Sequence, residues 1–285
     1  MTYRFRCHLA LLGLFAGVWR AACWGETSAL NQAVAEQAGP RLQIVVPAYF
    51  YPGGKGLAYW EQLFGSAAQA PIIAIVNVAN GPGKEAETHY AALVERAKQC
   101  NLVLIGYVYS SYTKRPLPEV MKDVDAWRRF YPGIQGIFVD EQTDGEEQVE
   151  YYLQLYRYIR QTLGLKLAVT NPGARCAEGF FARQAADVIC LYESPGGRAG
   201  AVAPDWAAKY PATGILALPY AIKTAKQMRQ WVEAAARGQC GYIYVTDDSG
   251  DNPWDRLPSY WRQEVEAVRK VNAEAGYPER PRARK

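Results

Sequence analysis

Three acidic residues stand where two apolar runs of the sequence end. Asp140 and Glu141 follow the apolar run 137–139, and Glu193 follows the run 188–192. Splitting a glycosidic bond needs one carboxyl to protonate the leaving oxygen and a second to attack carbon or to activate water. Isolated acids in loops more often cap a helix or form a surface ion pair. If the fold brings them together, Asp140, Glu141 and Glu193 are nevertheless the candidate catalytic residues.

Side chains suited to binding a sugar follow other apolar runs. Flat aromatic rings stack on sugar faces, and hydroxyl groups bond to sugar oxygens. Most of the 20 Tyr and 8 Trp should instead pack in the core. The acids at 247 and 248 precede a Ser-Gly-Asp segment, which is also typical of a turn. The predicted substrate-binding residues are Tyr49, Tyr51, Asn77, Tyr107, Asn171, Tyr192, Tyr220 and Asp247.

The elements that must position these residues alternate along the chain. Short apolar or β-branched runs are each followed by a segment with helical spacing. The predicted strands are 43–47, 72–78, 103–108, 136–140, 167–170, 188–192, 214–218 and 242–246. This order predicts one α/β domain, a closed (β/α)8 TIM barrel, in which catalytic groups lie at the carboxyl ends of the strands. An open doubly wound sheet is the alternative, but its usual Gly-rich nucleotide-binding turn is absent from the sequence.

The two ends of the chain differ from the barrel region. Arg4 and Arg6 precede the apolar run 9–19 and small residues near 21–25, a pattern typical of a secretory signal peptide. The run is too short and too polar to predict a transmembrane span. We expect a signal peptide over 1–25, a linker over 26–40, the barrel over 41–275 and a basic tail over 276–285. The protein should be secreted, periplasmic or at the cell surface, with a lipid anchor at Cys23 as the alternative.

Composition argues against several other functions. The 285 residues are 49% hydrophobic and 21% charged, as in ordinary globular domains. The excess of basic over acidic residues lies at the two ends, so the formal charge of +4 is no evidence for nucleic-acid binding. Outside the predicted signal only His89 remains, away from the strand ends, which argues against a zinc site or a Ser-His-Asp triad. We expect no metal, no organic cofactor, no nucleic-acid partner and a monomer.

Four cysteines lie outside the predicted signal peptide, and none of their spacings is typical of metal ligands. In an oxidising compartment they could form one or two disulfides, or stay as buried thiols. We interpret them as structural. They are Cys100, Cys176, Cys190 and Cys240.

Six segments at or near the ends of the predicted strands resemble a known family when they are taken together. They are VPAYFYP at 46–52, NVANGPG at 77–83, GYV at 106–108, GIFVDE at 136–141, NPG at 171–173 and YE at 192–193. Together they resemble the spherulin-4 family. That family includes glycoside hydrolase family 135, whose fungal members are endo-α-1,4-N-acetylgalactosaminidases acting on galactosaminogalactan. It is also similar to the hydrolase domain of a bacterial Pel-polysaccharide protein.

The resemblance implies a TIM-barrel endo-hydrolase with Asp140 as nucleophile, Glu193 as general acid/base and Glu141 in a supporting role. Adjacent residues on a regular strand point to opposite sides, so Asp140 and Glu141 face one sugar only if the strand has already turned. The expected substrate is an α-1,4-linked N-acetylgalactosamine or galactosamine polysaccharide. Its partly deacetylated form is cationic and would be attracted to an acidic mouth.

A secreted polysaccharide-binding or coat protein without turnover is the alternative function, because a fold does not fix an activity. Such a protein would need the sugar-binding side chains but not a pair of carboxyls. The presence of acids at the ends of both the fourth and the sixth predicted strands favours the hydrolase.

Overall fold

The computed structural model describes residues 42–197, 199 and 203–277. Within them, parallel strands close into a barrel in sequence order, which confirms the predicted TIM-barrel fold. The predicted signal peptide, the linker and the tail beyond 277 lie outside the described residues. The strands are β1 (Gln43–Ala48), β2 (Ile72–Val76), β3 (Leu102–Tyr109), β4 (Gly136–Asp140), β5 (Leu167–Thr170), β6 (Val188–Pro195), β7 (Ile215–Tyr220) and β8 (Tyr242–Ile243).

Helices cover the outside of the barrel. A helix follows every strand except β6, after which the described residues form only the 3-10 turns Asp205–Lys209 and Ala212–Gly214. No helix among the described residues has the length and apolar character needed to cross a membrane. The helices are α1 (Leu57–Ser66), α2 (Thr88–Lys98), α3 (Leu117–Phe130), α4 (Val149–Arg157), α5 (Gly179–Ala182), α6 (Ala225–Ala234) and α7 (Trp261–Glu274).

The barrel closes through a short last strand. β8 pairs with β1 only through Tyr242 and Ile243. Beyond them, the backbone N–H of Val245 donates to a carboxyl oxygen of Glu264 on α7, at 2.8 Å. Complete burial raises the pKa of Glu264 well above its usual range, although the hydrogen bond from Val245 opposes the rise. A side chain of α7 therefore takes over a hydrogen bond that a longer strand would make.

Helix α3 packs against β3 because position 106 is a glycine. A Cβ atom at Gly106 would lie 2.5 Å from the indole ring of Trp127. The indole is fully buried, and its Nε1 donates to the carbonyl of Tyr107 at 2.7 Å. The close approach thus holds the backbone of Tyr107, a residue whose side chain reaches the mouth of the barrel.

Replacing Gly106 with alanine should lower the free energy of unfolding by about 1–3 kcal/mol, because the new methyl group overlaps the Trp127 ring. Gly65 on α1 is the matched control, since a Cβ atom there would meet nothing within 4 Å. Gly65→Ala should raise stability by roughly 0.5–1 kcal/mol through its higher helix propensity. Urea unfolding measures both changes. Shifts of the same sign at the two positions would contradict the packing role of Gly106.

Candidate active site

Asp140 stands at the last position of β4. Phe138, two residues earlier on the same face, stacks on Tyr107 of β3 with ring centroids 6.2 Å apart inside the barrel. Asp140 therefore points into the mouth, where the Tyr107 hydroxyl donates to its Oδ2 at 2.9 Å. The strand turns at the next residue, because Glu141 has a φ of 54°. This turn is the condition under which two adjacent acids can both approach one ligand.

Glu193 reaches the mouth through a bulge in β6. Successive residues of β7 pair with Cys190 and Tyr192, so Leu191 is an extra residue in the ladder. The ring of Tyr192 packs outward on Trp231 of α6, with centroids 5.0 Å apart. Burial, and then the charge of Glu193, raise the pKa of the Cys190 thiol, as expected if both side chains lie on the inner side. Without the extra residue, Glu193 would face the helices.

Asn171, directly after β5, joins the two acids. Its amide Nδ2 donates to Asp140 Oδ1 at 3.0 Å and to Glu193 Oε2 at 2.5 Å. The amide oxygen accepts from the backbone N–H of Gly173 at 2.9 Å, which fixes the orientation of the amide. The two carboxyl oxygens therefore lie at most 5.5 Å apart, the sum of the two contacts.

The two carboxyls differ in their hydrogen-bond donors. Burial raises the pKa of Asp140 above its ordinary value, although the backbone N–H of Glu141, the Tyr107 hydroxyl and the Asn171 amide all oppose the rise. Burial also raises the pKa of Glu193, to about 7, with Asn171 opposing and the charge of Asp140 adding to the rise. Such a pair can supply one proton donor and one anion near neutral pH.

An open cavity of about 430 Å³ lies over these acids. It contains both Asp140 and Glu193, together with four of the predicted substrate-binding residues, Tyr49, Asn77, Tyr107 and Asn171. No lysine or arginine is among the described residues that line it. The remaining lining residues are Pro47, Val78, Asn80, Phe138, Leu218, Asp251, Asn252 and Trp254.

The other predicted residues lie outside this lining. Tyr51 is 46% exposed and contacts Glu87 and His89 through its hydroxyl, at 3.0 and 2.7 Å. Glu141 is half-buried beside the cavity. Its backbone carbonyl accepts from the Ser110 hydroxyl at 2.7 Å. The structure thus brings together Asp140 and Glu193 directly, with Glu141 on the adjoining turn.

The predicted residues of the last strands serve the surrounding packing. Tyr192 faces α6, and the ring of Tyr220 packs edge-on against Trp254 with centroids 5.7 Å apart. Asp247 forms an ion pair with Arg256 at 2.8 Å. Burial alone would raise its pKa, but hydrogen bonds and this ion pair lower it, so Asp247 stays ionised. These three side chains support the mouth without lining the cavity.

The loop after β8 supplies cavity residues that are not among the predicted substrate-binding residues. Asp251, Asn252 and Trp254 line the cavity. The carbonyl of Trp254 accepts from the backbone N–H of Tyr49 at 3.2 Å, which ties the loop to the end of β1. Its Ser-Gly-Asp pattern at 249–251 alone predicts a turn. A tryptophan in an otherwise polar strand-end loop was the signal that could have identified it.

Over 42–197, 199 and 203–277, no three His, Cys, Asp or Glu side chains converge as a metal site would require. The four cysteines in this part of the chain are unpaired thiols, of which Cys100 is half-buried and the others are buried.

Comparisons of the sequence with known proteins give a family and a relative. A model of spherulation-specific family 4 matches residues 43–268. Spherulin-4 of Physarum polycephalum is 28% identical over 245 residues, which are 81% of this chain and 71% of that protein.

Among solved structures, Sph3 of Aspergillus clavatus in complex with GalNAc superposes with a TM-score of 0.70 and 22% identity, covering 82% of this chain and 99% of that one. A methylaspartate ammonia lyase from Clostridium tetanomorphum reaches a TM-score of 0.51 at 9% identity, covering 89% of this chain and 64% of that one. Since a lyase also shares the barrel, the reaction has to be argued from the site.

Proposed function

The chain belongs to spherulation-specific family 4, and from this premise we propose that it is an endo-acting glycoside hydrolase of α-1,4-linked N-acetylgalactosamine or galactosamine polysaccharide. The observation that carries the proposal is the single amide of Asn171 in contact with both Asp140 and Glu193. Two carboxyls at the carboxyl ends of barrel strands, in an open cavity, have the arrangement that glycosidic cleavage requires.

The separation of the acids favours a retaining mechanism. Retaining enzymes hold their carboxyls about 5–5.5 Å apart, whereas inverting enzymes leave roughly 6.5–9.5 Å for a water molecule. The facing oxygens of Asp140 and Glu193 are at most 5.5 Å apart, by the two contacts to Asn171. This upper bound falls within the retaining range and below the inverting one, which is the support for retention.

In the proposed reaction, a carboxylate oxygen of Asp140 attacks the anomeric carbon while Glu193 gives its proton to the leaving glycosidic oxygen. The sugar is then held on Asp140 as an ester. Glu193, now ionised, takes a proton from water, and the water oxygen displaces Asp140 from the anomeric carbon. Two inversions retain the α configuration, and both carboxyls return to their starting states.

The division of roles rests on the surroundings of each acid. Three donors stabilise the anion of Asp140, which suits a nucleophile that must be ionised. Among the described residues Glu193 accepts from one donor, Asn171, and with a pKa of about 7 it holds a proton in a large fraction of molecules at neutral pH. Glu141 donates its backbone N–H to Asp140, which is the supporting role proposed for it.

The acidic lining of the cavity supports an amino sugar as ligand. Asp251 adds a third carboxylate to those of Asp140 and Glu193, without a basic side chain among the described lining residues. A positively charged free amine of galactosamine would be attracted there. The structural relative Sph3 was solved in complex with GalNAc. An extracellular polymer as substrate also fits the predicted signal peptide.

The charge of Asp251 should set the preference for deacetylated polymer. Asp251→Asn should lower kcat/KM on a galactosamine-rich polymer about two- to fivefold, because one exposed charge contact is lost. The rate on fully acetylated polymer should not change. Steady-state assays at low and raised salt measure both, and salt should slow the reaction with the cationic polymer more in the parent than in Asp251→Asn, which keeps Asp140 and Glu193. Glu233→Gln, which removes an exposed acid on α6, is the control. Equal losses on the two polymers would contradict this role.

The direct test of the proposed function is to incubate the purified protein with α-1,4-galactosaminogalactan and with Pel-type polymer. New reducing ends and shorter oligosaccharides, released with the α configuration by NMR, are expected. Release of β products would overturn retention but not hydrolysis. Tight binding of either polymer without new reducing ends would instead support the polysaccharide-binding alternative.

A further inference from the structure

The loop between β3 and α3 contains consecutive residues in a conformation that non-glycine residues avoid. Ser111, Tyr112 and Thr113 have φ values of 49°, 54° and 64°. This left-handed region is unfavourable for any residue with a Cβ atom, and most of all for the β-branched Thr113. Such strain persists where neighbouring contacts impose it, and it occurs preferentially at functional sites.

The contacts that impose this conformation come from the turn that carries the acids. The backbone N–H of Ser110 donates to the carbonyl of Asp140 at 3.0 Å, and that of Tyr112 donates to the carbonyl of Glu141 at 2.8 Å. On its other side the loop is held by Arg115, which donates to the Tyr109 carbonyl at 2.8 Å. The position of Tyr112 is thus fixed relative to Asp140.

The strained loop presents an aromatic ring to solvent beside the acids. Tyr112 is 53% exposed, and its hydroxyl makes no hydrogen bond to another residue within the described part of the chain. Partial burial and the charges of Glu141, Asp140 and Glu193 raise the pKa of this hydroxyl, so the ring lies within electrostatic reach of all three carboxyls. Tyr112 does not line the cavity itself.

We propose that Tyr112 forms a second sugar-binding subsite, outside the cavity, on which the apolar face of a neighbouring pyranose of the polysaccharide stacks. The inference rests on the proposed function and adds to it. An enzyme that cuts within a polymer gains binding energy from sugars on either side of the cleaved bond. An exposed ring on a backbone that is fixed beside the nucleophile is suited to that use, because little backbone freedom is lost on binding.

The test separates a binding role of the ring from a structural one. In a Glu193→Gln background, which should bind without cleaving, Tyr112→Asn removes the ring while asparagine tolerates the left-handed conformation. Its Tm should be unchanged or higher, and its affinity for long α-1,4-galactosamine oligosaccharides should fall about five- to thirtyfold. A disaccharide should occupy the cavity without reaching Tyr112, so its affinity should change by less than about twofold. Calorimetric titration measures these affinities.

Thr113→Asn is the control, because it relieves strain at the next residue and keeps the ring. It should raise the Tm by a few degrees and leave both affinities unchanged. Equal losses for long and short oligosaccharides in Tyr112→Asn, or no loss for either, would overturn the subsite while the proposed function stands. A parent that binds neither oligosaccharide would overturn the proposed function and the subsite with it.

Discussion

Glu193→Gln should lower the rate of glycosidic cleavage by about 10²–10⁴-fold, because glutamine cannot donate the proton that the leaving oxygen requires. Asp140→Asn should lower it at least as much, since the amide is a poor nucleophile. The two side chains face each other across the Asn171 amide. Each amide has nearly the same shape as the acid it replaces, so neither replacement changes the shape of the cavity. Reducing-end assays on the polymer measure the loss.

Glu193→Gln should not destabilise the fold. The pKa of Glu193 is about 7 in the protein, above its ordinary value of 4.5. Because the folded pKa is the higher one, the contribution to stability is fully present below about pH 4.5 and is lost as the pH rises through 7. Above pH 7 the ionised carboxylate costs on the order of 2 kcal/mol, after allowance for its partial exposure. Glu193→Gln should therefore be more stable than the parent at pH 8 and nearly equal at pH 4.

Glu141→Gln is the matched control for these measurements, since it neutralises an adjoining carboxyl whose proposed role uses only its backbone. The rate of cleavage by Glu141→Gln should be less than about tenfold below that of the parent. A Glu193→Gln protein that keeps most of the activity would refute the assignment of Glu193 as the proton donor. One that is less stable than the parent at pH 8 would refute the cost of burying its carboxylate.

Asn171→Ala should slow cleavage by about 10–100-fold and move the pH optimum upward. The amide lowers the pKa of both acids by donating to their ionised forms, so its removal should raise both values. The reaction needs Asp140 ionised and Glu193 protonated. On the acidic side, the rate of Asn171→Ala should therefore begin to fall at a higher pH than that of the parent. The alkaline decline, which lies near pH 7 in the parent, should also shift upward. The pH dependence of kcat/KM measures both limbs.

Asn77→Ala is the control for this experiment. Asn77 lines the same cavity, but its side chain accepts from the backbone N–H of Gly81 at 3.0 Å and contacts neither acid. Its replacement should change the rate without moving either limb. If Asn171→Ala and the parent have the same pH profile, the amide does not tune the two carboxyls.

The barrel could be predicted because its strands are continuous apolar runs separated by amphipathic helices. The run 72–78, for example, contains β2 over Ile72–Val76. The last strand is shorter than the predicted range 242–246, because Glu264 takes the backbone N–H of Val245. That hydrogen bond joins distant parts of the chain, and no local pattern of residues indicates it.

The site was less predictable than the fold. Strand ends identified Asp140 and Glu193 as candidates, and the structure brings both into one cavity. Tyr192 also ends a strand, yet it faces a helix, because the side on which a residue lies depends on the pairing of its strand. Trp254 belongs to a loop held by contacts with β1, which only the folded chain reveals.

The extra residue at Leu191 has a consequence for the study of distant relatives. A related chain could keep a glutamate at the aligned position and still lack an active acid, if its sixth strand ran without the insertion. Conversely, a chain with its glutamate displaced by one place could be an active enzyme. Searches for further members of this group should therefore compare strand pairing as well as residue identity.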